Sequence, residues 1–267
     1  MTTDKVAQRR ELAERLEAGF KQVQGSADFQ QYLKTCARFH QYSIGNVMLI
    51  HVQRPDASRV AGFKTWHSLG RRVRKGERGI KILAPRTFKR RDDDEDDDTE
   101  RVESVTYFVP VHVFDVSQTE GDELPSPTTE LEGVDDAGLY SALERLAWGE
   151  GLTVDRTPGE RSAANGFYSE DRRLIWVKPE ASLAQATKTL AHELSHHYAE
   201  HKVNGHCRDE SETIAEASAY VILAHFGIDS ADYSFAYLAS WTDEKTFKAK
   251  LDEIVGTAGK IIDALAA

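Results

Sequence analysis

The run Thr189-Leu190-Ala191-His192-Glu193-Leu194-Ser195-His196 sets a His-Glu-x-x-His motif inside a segment patterned as a helix. Residues four apart share a helix face, so His192 and His196 can grip one metal ion. Glu193, beside them, can take a proton from a water that the ion holds. The surroundings suit a helix. Ser182 can cap its start, and Leu183, Ala186, Leu190, Leu194 and Tyr198 form an apolar stripe. Residues 182–203 contain neither glycine nor proline. The chemistry is that of a zinc hydrolase, most often a peptidase. The plainer alternative is an amphipathic helix with exposed histidines.

A catalytic zinc site takes three protein ligands and leaves one position open. The segment Asp209 to Phe226 also reads as helix and contains Glu212-Thr213-Ile214-Ala215-Glu216, two carboxylates on one face. One could ligate the ion, and the other could fix the tautomer of a ligating histidine. Otherwise both are solvated charges. His197 and His201 fall off the ligand face, and His206 and Cys207 precede the second helix, so all four read as bystanders. Tyr168, Tyr198 and Tyr220 are candidates to donate to a developing oxyanion.

Charge divides the chain sharply. Residues 1–91 carry 20 Lys and Arg against 7 Asp and Glu, a net of +13, while the remainder carries 14 against 37, a net of −23. A basic half beside an acidic half points to a polyanionic partner for the first. Between Arg59 and Arg91 stand Arg71, Arg72, Arg74, Lys75, Arg78, Lys81, Arg86, Lys89, Arg90 and Arg91, with Glu77 the single acid. Phe63, Trp66 and Phe88 are interleaved, with Phe39 and Tyr42 upstream. Basic grooves with aromatic faces hold single-stranded nucleic acid. The alternative is core aromatics beneath a solvated basic face, and composition alone does not choose.

The pattern gives an α+β chain of two domains, 1–118 and 135–267, joined by a linker at 119–134 rich in Thr, Glu, Pro and Gly. Helices are expected at 4–24, 27–40 and 43–53, then strands at 79–84 and 104–116. The acidic run 92–100 between these strands reads as a disordered hairpin tip, which could compete with DNA for the basic surface. The second domain should hold a helix at 135–149, strands at 152–155, 163–169 and 172–178, and a turn at Glu170-Asp171. Helices at 182–202, 209–226, 231–241 and 243–265 complete it. No apolar run approaches a membrane span, the N-terminus is charged, and Cys36 and Cys207 read as free thiols. These features place the chain in the cytoplasm, with no membrane partner.

Two sets of spaced residues resemble known families. Phe39-x-x-Tyr42-Ser43-x-x-Asn46-x-x-Leu49-Ile50, Gln53-x-Pro55, Trp66 and Gly70-Arg71-x-Val73-x-Lys75-Gly76-Glu77-x-Gly79-Ile80-x-Ile82-x-x-Pro85 resemble the N-terminal domain of ArdC-type antirestriction proteins. Gly166-Phe167-Tyr168, Leu174-Ile175-Trp176-Val177, the His192 motif and Glu212-x-x-Ala215-Glu216-x-x-Ala219 resemble the ImmA/IrrE group of gluzincin metallopeptidases and the protease domain of ArdC-type proteins. The first resemblance implies a single-stranded-DNA-binding domain, with contacts from Tyr42, Asn46, Trp66, Arg71, Arg72, Arg74, Lys75, Arg78 and Lys81. The second implies a zincin-like peptidase with one Zn2+ per chain held by His192, His196 and Glu212, and Glu193 as catalytic base. Glu216 stands where the group often carries Asn or Asp, so it is the alternative third ligand or a support for His192. By the same resemblance, Arg172–Val177 could take an extended peptide by strand addition. Two functions follow. One is a DNA-regulated peptidase with an unidentified protein substrate. The other is a protective DNA binder, carried by a plasmid, phage or other mobile element, whose zinc domain is auxiliary.

Overall fold

The structure, a computed structural model, describes residues 3–23, 26–91, 102–124, 136–158, 164–199, 207–228 and 244–267. Its contacts divide the chain into two compact units, Met1–Gly19 with Met48–Glu123, and Phe20–Val47 with Leu124–Ala267. Both mix helices and strands, as the α+β patterning implies. The acidic run at 92–100, most of the linker and the helix expected at 231–241 lie outside the described residues.

The first unit contains α1 (Thr3–Gln22), the end of α3 (Ile44–Gln53) and a three-stranded antiparallel sheet. Its long hairpin pairs β3 (Ile80–Arg91) with β4 (Val102–Asp115), and β1 (Val60–Gly62) pairs with the far edge of β4. A short helix, α4 (Phe63–Ser68), follows β1, and a second small sheet joins β2 (Arg71–Val73) to β5 (Thr119–Gly121). Strand alternation sends Ile80, Ile82, Val109 and Val113 into the core, with Leu12, Met48, Leu49 and Trp66. Gln53 satisfies the edge of β3: its amide donates to the Lys81 carbonyl at 2.9 Å and accepts from the Lys81 N–H at 3.0 Å.

The second unit holds α2 (Ser26–Arg38), α5 (Asp136–Gly149) and a three-stranded sheet of β6 (Thr153–Asp155), β7 (Gly166–Ser169) and β8 (Leu174–Val177). Three helices follow: α6 (Leu183–Ala199), α7 (Arg208–His225) and α8 (Glu244–Ala266). The Ser182 hydroxyl accepts the Gln185 N–H at 3.3 Å, capping α6 as expected. Residues 20–47 precede the basic stretch in the chain, yet they pack with α7 and α8. The reason is apolar. Phe29, Leu33 and Cys36 repeat on one face of α2 and are fully buried, with the Phe29 ring tilted against that of Phe247 at 6.0 Å.

The sheet order is β6-β8-β7, parallel between β6 and β8 and antiparallel between β8 and β7. This corrects one expectation. The strand at 172–177 is central, with both edges paired, so it has no edge left for a peptide. The edge strand beside α6 is β7.

Candidate active site

Helices α6 and α7 both bury alanines and serines, among them Ala186, Ala191, Ser195, Ala215 and Ser218. Small side chains let the backbones approach, and the polar residues between them form an antiparallel ladder. Lys188 Nζ lies 3.4 Å from Glu216 Oε1, and His192 Nδ1 lies 3.1 Å from Glu216 Oε2. His192 Nε2 lies 3.3 Å and His196 Nε2 3.7 Å from Glu212 Oε2. The two Nε2 atoms are 3.1 Å apart. Ligand atoms of His192, His196 and Glu212 thus lie within 4.8 Å of one another. Glu216 stands outside that set, on the far side of the His192 ring. Its contact is an ion-pair distance without the alignment of a hydrogen bond, and the buried Nδ1 has no aligned acceptor.

Two imidazole nitrogens facing each other leave room for one proton or one cation between them. Two nitrogens and a carboxylate oxygen form a donor set suited to a divalent transition metal. Without a cation the carboxylates act on protons instead. Burial disfavours the charged His192, but Glu212 and Glu216 overcome this and lift its pKa to about 10. The His192 and His196 rings hold the Glu212 carboxyl well below the usual carboxylate range. Glu216 is also lowered: burial opposes its charge, and His192 and Lys188 outweigh burial.

Glu193 belongs to a different face of α6. It is 7% exposed and turned toward β7. Burial raises its pKa against the pull of His192 and His196, and the backbone N–H of Tyr168 donates to it. The approach of β7 depends on Gly166. A Cβ there would stand 2.3 Å from Thr189 Cγ2 and 2.8 Å from the Trp176 carbonyl oxygen. Two residues along the strand, the Tyr168 hydroxyl meets His197 Nδ1 at 2.9 Å. His197 Nε2 lies 3.9 Å from Glu150 Oε2, and Tyr198 donates its hydroxyl to Glu150 at 2.9 Å. Glu193, Gly166, Tyr168, His197, Tyr198 and Glu150 line one cleft of about 1730 Å³ with the ladder residues.

His197 therefore falls off the ligand face, as its spacing implies, yet it lines the cleft. Its signal was present in the sequence: it follows Glu193 by four, one turn along the same face. Of the three tyrosines, Tyr220 is 3% exposed and absent from the cleft wall, whereas Tyr168 and Tyr198 line it. Cys36 is buried, its thiol pushed up to about 12 by burial, and Cys207 is exposed; both are free. His201 and His206 lie outside the described residues.

The residues expected to contact DNA separate into several kinds. Trp66 requires correction: it is 2% exposed, and its indole N–H donates to the Phe114 carbonyl at 2.8 Å. A ring so enclosed has no face for a base and serves the core. Arg71 donates to Thr119 Oγ1 at 2.7 Å and to the Gly121 and Asp122 carbonyls, fastening β2 to the end of β5. Arg74 bonds Glu77 at 2.9 Å and the Ser117 carbonyl, and Lys81 pairs with Glu11 at 3.3 Å. These three hold the fold. Arg72, Lys75 and Arg78 are exposed. Tyr42 and Asn46 are half-buried and belong to the second unit, with Tyr42 edge-on to Phe39. Among the described residues of the first unit the large exposed aromatics are Phe63, at 60%, which the sequence sets among the basic residues, and Phe108, at 55%, which pattern reading did not single out.

Residues 5–114 match the family described as the N-terminal domain of anti-restriction factor ArdC, and residues 150–259 match the IrrE N-terminal-like domain, Peptidase M78. A Bacillus anthracis protein described as uncharacterized is 26% identical over 255 residues, covering 80% of this chain. The chain spans 43% of the length of that relative. The metal-free crystal structure of antirestriction ArdC from plasmid R388 superposes with a TM-score of 0.56, at 24% identity over 84% of this chain and 85% of that one. The Mn(II)-bound structure of the same protein gives 0.53, at 23% identity over 85% of each. Both share its fold. With one matched domain following the other, the chain belongs to the ArdC-type antirestriction family, its ArdC N-terminal domain preceding an IrrE-like Peptidase M78 domain.

Proposed function

We propose that this chain is a single-stranded-DNA-binding metallopeptidase of a mobile element, acting in the cytoplasm in antirestriction or DNA-linked regulation. The observation that carries the peptidase reading is Glu193: a buried carboxyl with a raised pKa, beside three converging ligand groups, in an open cleft. A metal site that only stiffened the fold would need no such base. His192, His196 and Glu212 would hold one Zn2+, leaving a position open. The Mn(II)-bound relative supports a divalent ion in this fold. When bound, the ion polarises a peptide carbonyl and acidifies the attacking water. Glu193 takes the proton from that water and passes it to the leaving amine. Tyr198 gives its hydroxyl to Glu150 and Tyr220 is buried, which leaves Tyr168 as the candidate donor to the carbonyl oxygen, with its proton free when His197 Nδ1 is the donor in their contact. The edge strand β7, paired only with β8 among the described residues, suits an extended peptide substrate. Among the described residues no helix is long and apolar enough to cross a membrane.

In the first unit, Arg72, Lys75 and Arg78 would meet phosphates, and Phe63 and Phe108 would stack bases. Tyr42 and Asn46 remain candidates by resemblance.

The test pairs wild type with Glu193→Gln. Full-length, zinc-loaded protein is incubated with a proteome-derived peptide library, with and without a single-stranded oligonucleotide, and cleavage is read by mass spectrometry. The variant should keep its metal and lose about 10²–10⁴ in rate. Equal cleavage by both proteins, or none by either, removes the peptidase reading. The exposed basic surface supports the second reading, in which DNA protection needs no cleavage. In that case Glu193→Gln would shield incoming DNA from restriction as well as wild type does.

A further inference from the structure

The ladder between α6 and α7 has one rung that the proposed chemistry leaves unexplained. Lys188, His192 and His196 recur every fourth residue on α6, and they face Glu212 and Glu216, also four apart, on α7. Each carboxylate bridges two rungs of α6. Glu212 bridges His192 and His196, where a cation would sit. Glu216 bridges Lys188 and His192, so both its oxygens are engaged, Oε1 by the ammonium at 3.4 Å and Oε2 at the ring at 3.1 Å. Lys188 thus stands to Glu216 as the cation would stand to Glu212.

We propose that Lys188 is a positioning residue that locks Glu216 out of the coordination sphere and so keeps the metal site open. The inference rests on the metal site proposed above. Glu212 and Glu216 lie one turn apart on α7, one at each nitrogen of the His192 ring, and a dication attracts both. Glu216 is only 24% exposed, so water balances its charge only in part if Lys188 is removed. The carboxylate would then turn to the strongest positive charge nearby, the ion. A fourth protein ligand, added beside the water, would make the ion five-coordinate and occupy the place that a substrate oxygen takes in a catalytic site. With the lock in place, Glu216 stays beside His192 Nδ1, on the side of the ring away from Nε2.

The test uses full-length apo protein titrated with cobalt chloride, because the visible spectrum of Co2+ reports coordination number and needs no substrate. Wild type and Lys188→Arg should give the intense absorption of a four-coordinate ion, three protein ligands and one water. Lys188→Met should lose intensity several-fold as Glu216 joins, and Lys188→Met with Glu216→Gln should regain it. Lys188→Gln repeats the test if the methionine variant does not fold. Glu216→Gln alone should keep the intense spectrum and lose about 10- to 100-fold in cobalt affinity. A wild-type spectrum in Lys188→Met overturns the lock while leaving the metal site standing. A wild-type chain that takes up no cobalt overturns the metal site, and the lock with it.

Discussion

A peptidase fragment cut in linear order, residues 135–267, should not fold stably by itself. It would omit residues 20–47, which belong to the same compact unit. Phe29, Leu33 and Phe247 are each buried at 0% exposure in that unit, and the cut removes the first two and exposes the third. Each is worth about 1.5–3 kcal/mol when buried, so together they contribute about 4–9 kcal/mol. Extended-chain accounting makes this an upper figure, yet it matches the whole stability of a typical domain, about 5–15 kcal/mol. Polar ties would go as well: His225 Nδ1 meets the Ala37 carbonyl at 2.8 Å, and His40 meets Asp263 at 3.3 Å. The assay is urea unfolding by far-UV circular dichroism of three samples: the full chain, 135–267 alone, and 135–267 co-expressed with 20–47. The fragment alone should be unfolded or nearly so, and the added segment should restore a cooperative transition. A lone fragment with the midpoint that the same unit shows in the full chain would refute the reasoning.

Other outcomes follow from single contacts. Gly166→Ala should cost about 1–3 kcal/mol by overpacking β7 against α6. Thr189→Ala should recover only part of it, because the Trp176 carbonyl also blocks the new methyl; an unchanged urea midpoint refutes this. In the metal-free chain the His192 pKa is raised from 6.5 to about 10, so its contribution to stability is complete below 6.5 and is lost as pH rises through about 10. A divalent ion must displace that proton. Zinc uptake near neutral pH should therefore release about one proton, measured by calorimetry in buffers of differing ionisation enthalpy, and no release would contradict the geometry. Phe63→Ala and Phe108→Ala should each weaken single-stranded DNA binding by about 1–3 kcal/mol in fluorescence anisotropy. Trp66→Ala should instead lower the unfolding midpoint, at a cost of about 3–5 kcal/mol. Loss of DNA affinity in Trp66→Ala at an unchanged midpoint would return Trp66 to the binding surface.

Local periodicity made the long helices legible. Apolar repeats and caps lie within a few residues of one another, and the helices expected at 27–40 and 209–226 appear as Ser26–Arg38 and Arg208–His225. What pattern could not show depends on distant partners. β2 is three residues long and pairs with β5 some fifty positions away, Arg71 with Gly121, so neither strand announces itself. Arg71 looked like a phosphate contact because its acceptors on β5 are equally remote. Trp66 has the composition of a stacking residue, and only its bond to Phe114, at the end of a strand pairing with β1, shows it to be core. The central place of β8 depends on the parallel partner β6, which no local signal pairs with it.

The candidate site was legible further than the fold because one helix carries most of it. Successive residues on a helix differ by about 100°, so adjacent residues face different neighbours. His192 and His196 face α7 and its carboxylates, while Glu193 and His197 face β7. On the function proposed here, the motif would divide ion binding and proton transfer between separate walls of one cleft. The choice between Glu212 and Glu216 was open in the sequence because both occupy the same stripe of α7. Only the stagger of the two helices, which sets Glu212 between the histidines and Glu216 against Lys188, distinguishes them. The same separation is why Glu193→Gln should silence turnover without loosening the metal: the amide keeps its place against β7, and nothing on the α7 side of the helix changes.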